Sequence, residues 1–241
     1  MVPSGFMNIA HRGASAYAPE NTFSAFDKAL SLGVDQVELD VHFSEDGHIV
    51  VIHDDNLDRT TNGSGPVSGH TLAQLRTLDA GSWFGSEYAG EGMRSLGEVL
   101  ERYKDKLYLH IEIKGAGEGL PQRTVDLVRG YGMVDRVSIT SFQGPRLAEV
   151  RAYAPDIPLG WLVRDWDDSV LGESKEMNLA MICPRADLVT PELVDQVRRG
   201  GFLVRAWGVS TEELMKQVVD AGAEGMTVNF PDKLSEYLER K

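Results

Sequence analysis

Glu38 and Asp40 stand two residues apart in "QVELDVHF" (36–43), and side chains alternate along a strand, so both carboxylates fall on one face. Val37, Leu39 and Val41 then share the other face. The same alternation in "LHIEIK" groups His110, Glu112 and Lys114 against Leu109, Ile111 and Ile113. Two strands therefore send carboxylates to one side, and burying three of them unpaired would be very costly. One divalent cation held by Glu38, Asp40 and Glu112 is the simplest compensation. Oxygen ligands without a cysteine or His-x-His cluster favour Mg²⁺ or Ca²⁺ over zinc. Each residue alone has an ordinary structural explanation: Glu-x-Asp as a solvated face, His11 or His53 as a hydrogen-bonded structural histidine, Lys114 as a partner of Glu112. His42, His48, His70 and His110 keep that explanation, and Trp83, Phe84, Trp161 and Trp207 are by default packing residues. The conjunction of two histidines, three carboxylates, Arg12 and Lys114 at strand ends is what points to a site.

Positioning such a set needs a frame that gathers strand ends. Short β-branched runs alternate with segments of helical period from "MNIAHRG" (7–13) to "GMTVNF" (225–230), the rhythm of a parallel sheet. Several helical segments, such as "TPELVDQVRRGG" and "STEELMKQVVDAG", open on Ser or Thr and close on Gly. There are nine strand candidates, one too many for an eight-stranded barrel. "SEDGH" reads as a hairpin turn, so "HIVVIHD" (48–54) must run antiparallel to residues 36–43 and drops out of the parallel count. Eight remain. The expected fold is a (β/α)₈ TIM barrel occupying residues 1–241 as one domain, with a small insertion at about 54–94 after the second barrel strand. In this fold the C-terminal ends of the strands carry the chemistry.

Composition bounds the function. With 24 basic against 37 acidic residues the formal net charge is −13, which opposes nonspecific attraction to nucleic acid or anionic lipid. Neither a nucleic-acid partner nor stable membrane insertion is expected, and any bound phosphate needs a local cationic site. The single cysteine, Cys183, has no partner within the chain, and "MVPSGFMNIAHRG" lacks the basic start and apolar stretch of a secretion signal. A cytoplasmic location is the expectation.

"HRGASAYAPENTFSAF" (11–26), "ELDVHFSEDGHIVVIHDDNLDRTTNGSG" (38–65) and "EIK" (112–114), followed by "SF" at 141–142, resemble the glycerophosphodiester phosphodiesterase family. The resemblance runs from about Asn8 to Leu238. It implies a metal-dependent barrel that hydrolyses glycerophosphodiesters to glycerol 3-phosphate and an alcohol. Carried over by position, it implies Glu38, Asp40 and Glu112 as metal ligands and His11 and His53 as the acid–base pair. Arg12 and Lys114 would meet the phosphate, Trp207 would wall the glycerol pocket, and Asn21 would brace the turn beside the site. Two segments depart from the family pattern: Arg205 stands where Asn is common, and Val228-Asn229 where Thr-Asp is usual. Arg205, on the same strand face as Trp207, would add a positive contact.

Three other readings compete. A lysophospholipase D-type phosphodiesterase would use "SWFGSEY" as apolar surface for an acyl chain. A noncatalytic glycerophosphodiester-binding protein would have no need of both His11 and His53. A glycosidase using Glu38 and Glu112 would leave the histidines and cations idle.

Overall fold

The computed structural model describes residues 5–167 and 169–241. Its strands are β1 (Met7–His11), β2 (Gln36–Phe43), β3 (Ile49–Val51), β4 (Arg94–Ser95), β5 (Tyr108–Ile113), β6 (Val137–Ser141), β7 (Leu159–Val163), β8 (Met181–Pro184), β9 (Leu203–Val209) and β10 (Gly225–Val228). Neighbours run β1-β10-β9-β8-β7-β6-β5-β2, and β1 also pairs with β2, so these eight strands close on themselves. Every pairing in the ring is parallel. The fold is the (β/α)₈ TIM barrel expected from the sequence.

Helices return the chain between parallel strands, as parallel pairing requires. They are α1 (Phe23–Ser31), α2 (Leu72–Leu75), α3 (Leu96–Tyr103), α4 (Leu120–Gly130), α5 (Gly144–Tyr153), α6 (Ser169–Glu176), α7 (Pro191–Arg199), α8 (Glu212–Asp220) and α9 (Pro231–Leu238). Thr22, Thr71, Ser95, Thr190 and Thr211 cap their helices by accepting a backbone N–H from the first turn. The outward faces of β2 and β5 (Val37, Leu39, Leu109 and Ile111) are wholly buried in the main core together with Phe26, Leu100 and Val128. Each such side chain contributes about 1.5–3 kcal/mol by leaving water. No helix among the described residues is long and apolar enough to cross a membrane.

The hairpin after β2 also forms: β3 runs antiparallel to residues 41–43, with Val41 opposite Val51. It takes over the edge of β2 that β1 occupies only as far as Glu38. The tenth strand, β4, pairs with β3 and is only two residues long, too short to leave a period in the sequence. Between β3 and β4 the excursion carries α2 and a small core of its own, built on Val50, Ile52, Leu57, Val67, Leu75 and Met93.

Candidate active site

Barrel register brings the acidic residues together. His11 pairs with Glu38, and Asp40 pairs with Glu112. Oxygens of Glu38, Asp40 and Glu112 lie within 4.8 Å of one another, and all three side chains are buried. Glu38 and Asp40 sit mid-strand, not at the strand end as expected. Beyond Val41 the strand leaves the ring, His42 and Phe43 pairing only with β3. Lys114 Nζ lies 3.0 Å from Glu112 and 3.8 Å from Asp40, and Arg12 Nε lies 3.3 Å from Asp40. Asn21, expected to brace the turn beside the site, donates its Nδ2 to Asp40 Oδ2 at 3.0 Å and so holds a carboxylate of the trio.

These cations do not satisfy the cluster. Burial and the two neighbouring carboxylates raise Glu38 well above the ordinary range, and burial with Asp40 pushes Glu112 up to about 7. Asp40 Oδ1 is buried without a hydrogen-bond donor among the described residues. An all-oxygen, crowded and under-neutralised trio fits a hard divalent cation.

The loop after β1 is shaped for this geometry. Arg12 and Asn21 both adopt left-handed backbone, at φ 56° and φ 60°, which costs a non-glycine residue and tends to persist at functional sites. Gly13 follows at φ 83°, where a Cβ would lie 2.6 Å from Ala25. In this conformation the Arg12 N–H donates to Glu38 Oε2 at 3.1 Å while its guanidinium turns back to Glu20 at 2.8 Å.

The two histidines have different partners. His11 Nδ1–H donates to Asn229 Oδ1 at 2.7 Å, and its Nε2 lies 4.0 Å from Glu38. The ring is recessed below the rim with 32% of its side-chain surface open, and burial followed by the Arg12 charge pulls it down to about 4. His53 Nδ1 is 2.5 Å from Asp54 Oδ1. Burial lowers His53 as well, against the pull of Asp40 and Asp54.

A cavity of about 350 Å³ is lined by His11, Arg12, Glu38, His53, Glu112 and Lys114, together with Phe142, Leu162, Arg164, Arg205 and Trp207. Of the metal ligands, histidine pair and substrate contacts expected from the sequence, Asp40 alone does not line it, being wholly buried, and Asn21 also lies outside it. Trp207 stacks edge-on with Phe142 at 4.8 Å and donates its indole N–H to Val163 O. His53, Glu112 and Lys114 also face an adjoining groove of about 840 Å³. Trp83 packs edge-on against Phe84, and Phe84 against Tyr88, but none of them lines either space. His110 hydrogen-bonds to Gln36 and Ser138 inside the barrel, a structural role.

Four neighbours carry weight that the sequence did not assign. Glu20 and Arg59 lay in the quoted "PENT" and "LDRTT" stretches, but only folding brings them together. Asn229 stood out solely as a departure from the family pattern. Asp54 was legible as the residue after His53.

Residues 11–233 match the Glycerophosphoryl diester phosphodiesterase family. A glycerophosphodiester phosphodiesterase of Caldanaerobacter subterraneus subsp. tengcongensis is 38% identical, over 96% of this chain and 97% of that protein. One from Bacillus subtilis is 32% identical over 95% and 85%. Among solved structures, an Oleispira antarctica phosphodiesterase in complex with the product sn-glycerol-3-phosphate superposes with a TM-score of 0.90 at 30% identity, covering 96% of each chain. An Agrobacterium tumefaciens glycerophosphodiester phosphodiesterase gives 0.85 at 31%, covering 95% and 98%. With the family matched across nearly the whole barrel, this chain belongs to the glycerophosphoryl diester phosphodiesterase family.

Proposed function

We propose that this protein hydrolyses glycerophosphodiesters to glycerol 3-phosphate and an alcohol, using His11 and His53 as its proton-transfer pair. The observation that carries the reading is the convergence of both histidines, Glu38, Glu112, Arg12 and Lys114 on one cavity, with Asp40 buried within 4.8 Å of the other two carboxylates. The Oleispira antarctica relative, bound to sn-glycerol-3-phosphate, supports the substrate class. Glu38, Asp40 and Glu112 would hold one Mg²⁺ or Ca²⁺, which when bound supplies charge neutralisation at the phosphoryl oxygens. Arg12 and Lys114 would share their charge between the trio and those oxygens.

Partner chemistry supports a division of labour. His11, tied through Nδ1–H to the neutral amide oxygen of Asn229, keeps Nε2 bare and suits the base that deprotonates the attacking hydroxyl. His53, backed by the Asp54 carboxylate, is suited to carry a proton to the departing alcohol oxygen. Each transfer is worth about 10²- to 10⁴-fold. Trp207, Phe142 and Leu162 would form the wall against the glycerol carbons. We also infer that the whole chain works as one domain, with the 54–94 segment as an accessory to the barrel rim, in a cytoplasmic setting that suits the lone buried Cys183.

The test is release of glycerol 3-phosphate from a panel of glycerophosphodiesters, beside lysophospholipid micelles, with Mg²⁺, with Ca²⁺ and after chelation. Turnover of the soluble diesters with cation supports the reading. Full turnover by protein verified metal-free defeats the metal assignment, and binding without turnover leaves a noncatalytic binder.

A further inference from the structure

Arg205 is a buried cation that forms no ion pair with a carboxylate among the described residues. It lies 1% exposed on the inward face of β9, and among the described residues its Nε has no hydrogen-bond partner and its guanidinium reaches only Cys183 Sγ, at 3.9 Å. A guanidinium does not shed its proton, so the fold keeps a full positive charge inside the barrel. Such a charge persists only where an opposite field offsets the loss of water.

The trio supplies that field. Arg205 lines the same cavity as Glu38 and Glu112, and its charge acts on both carboxyls. Glu38 is in the converse position. Asp40 has Arg12 and Lys114, and Glu112 has Lys114, but Glu38 forms no Lys or Arg ion pair among the described residues. With Arg164, which lines the same cavity, four cations, Arg12, Lys114, Arg164 and Arg205, stand against the three carboxylates. Once Arg205 and Arg164 are counted with Arg12 and Lys114, the cavity carries no excess of negative charge before any ion enters.

We propose that Arg205 is a fixed counter-charge to the trio, weakening its hold on a divalent cation until an anionic phosphodiester or product joins the cation in the cavity. The inference rests on the trio being a metal site. A dication entering a cavity whose carboxylates are already matched by fixed cations leaves it strongly positive, and an anion then relieves the excess. Cation and anion must therefore tighten each other's binding by the same factor.

The test is calorimetric titration of Mg²⁺ and of Ca²⁺ into metal-free wild type, Arg205→Met and Arg205→Lys, each with and without glycerol 3-phosphate. Arg205→Met should bind the cation at least about tenfold more tightly than wild type, the direction Coulomb repulsion across a few ångströms requires. It should also lose most of the tightening that glycerol 3-phosphate produces, and Arg205→Lys should stay within about threefold of wild type. Cation affinity in Arg205→Met equal to or weaker than wild type overturns the proposal. If neither wild type nor Arg205→Met binds either cation, with or without glycerol 3-phosphate, the metal-site reading itself fails. Should Arg205→Met be recovered unfolded, refolding that depends on saturating Mg²⁺ or Ca²⁺ supports the counter-charge, and failure to refold with the cation overturns it.

Discussion

His53 Nδ1 lies 2.5 Å from Asp54 Oδ1, and the carboxylate that orients this imidazole is itself held from the accessory segment. Arg59 donates Nε to Asp54 Oδ2 at 2.7 Å and Nη2 to Oδ1 at 3.0 Å. The same guanidinium donates to both oxygens of Glu20 at 2.8 Å, and Glu20 accepts from Arg12 at 2.8 Å. One side chain thus ties the histidine loop to the arginine loop with two bidentate forks, the arrangement for which guanidinium geometry is best suited. A barrel of this kind gains from its excursion a brace for groups that otherwise sit on separate loops.

Arg59→Ala should therefore lower kcat by about 10- to 10²-fold, within the range of a mispositioned proton donor, with a smaller change in KM. Arg59→Lys should recover only part of the loss, because an ammonium cannot make both forks. Steady-state kinetics at saturating cation, with circular dichroism as the control for folding, decide it. Full activity in Arg59→Ala would mean that Asp54 and Glu20 hold their places unaided.

The same knot gives an acid limit. Burial alone would raise Glu20, but Arg59 and Arg12 outweigh it and hold the carboxyl at about 2, below its ordinary 4.5. A carboxyl with a depressed folded pKa adds stability above its unfolded pKa and loses it as pH falls toward the folded value. Glu20→Gln should accordingly lower the melting temperature near neutrality and flatten the decline between about pH 4.5 and about pH 2. A melting curve against pH that is parallel for variant and wild type would show that Glu20 contributes nothing there.

Much of this architecture was legible because period carries it. Alternation in residues 36–43 and 108–113 fixed which face bears the carboxylates, and the turn "SEDGH" removed the surplus strand. What stayed hidden is contact between segments distant in sequence. Glu20 and Arg59 are 39 residues apart, and His11 and Asn229 are 218 apart, and no spacing rule links either pair. Barrel closure joins β1 to β10 and thereby makes Asn229 the partner of His11. Arg205 was legible as an inward residue on the face of Trp207. Its near-complete burial was not, because sequence does not reveal how far down the barrel a side chain ends.

Removing the cation should make stability depend on pH with the opposite sign. Glu112 rises from 4.5 to about 7 through burial and the charge of Asp40. A carboxyl raised in the fold adds stability below its unfolded pKa, and that stability is lost as pH climbs through the folded value. Chelated protein should thus melt at progressively lower temperature between about pH 4.5 and about pH 7, while a bound dication, which favours the ionised trio, opposes the fall. The gap between cation-loaded and chelated melting temperatures should widen across that interval. A constant gap would argue that the trio does not ionise on binding the cation.

The assignment of His11 as base and His53 as acid makes the sharpest demand on kinetics. An alkoxide such as that of choline or ethanolamine leaves poorly and needs a proton as the bond breaks, whereas p-nitrophenolate leaves with little protonation. Removing the acid should therefore harm poor leaving groups selectively, and removing the base should harm every substrate alike. His53→Ala should lose about 10²- to 10⁴-fold on glycerophosphocholine but far less on the p-nitrophenyl ester of glycerol 3-phosphate, with His11→Ala losing a similar factor on both. The Asn229 amide and the Asp54 carboxylate are what set the two rings apart, so Asn229→Asp should raise the apparent pKa of the acidic limb, where protonation of His11 removes the base. Coupled groups give macroscopic values, so the leaving-group comparison carries the assignment and the pH profile supports it. If His11→Ala shows the selective loss, the roles are reversed. Equal losses for both variants on both substrates would make the histidines positioners of the phosphate, with proton transfer left to solvent.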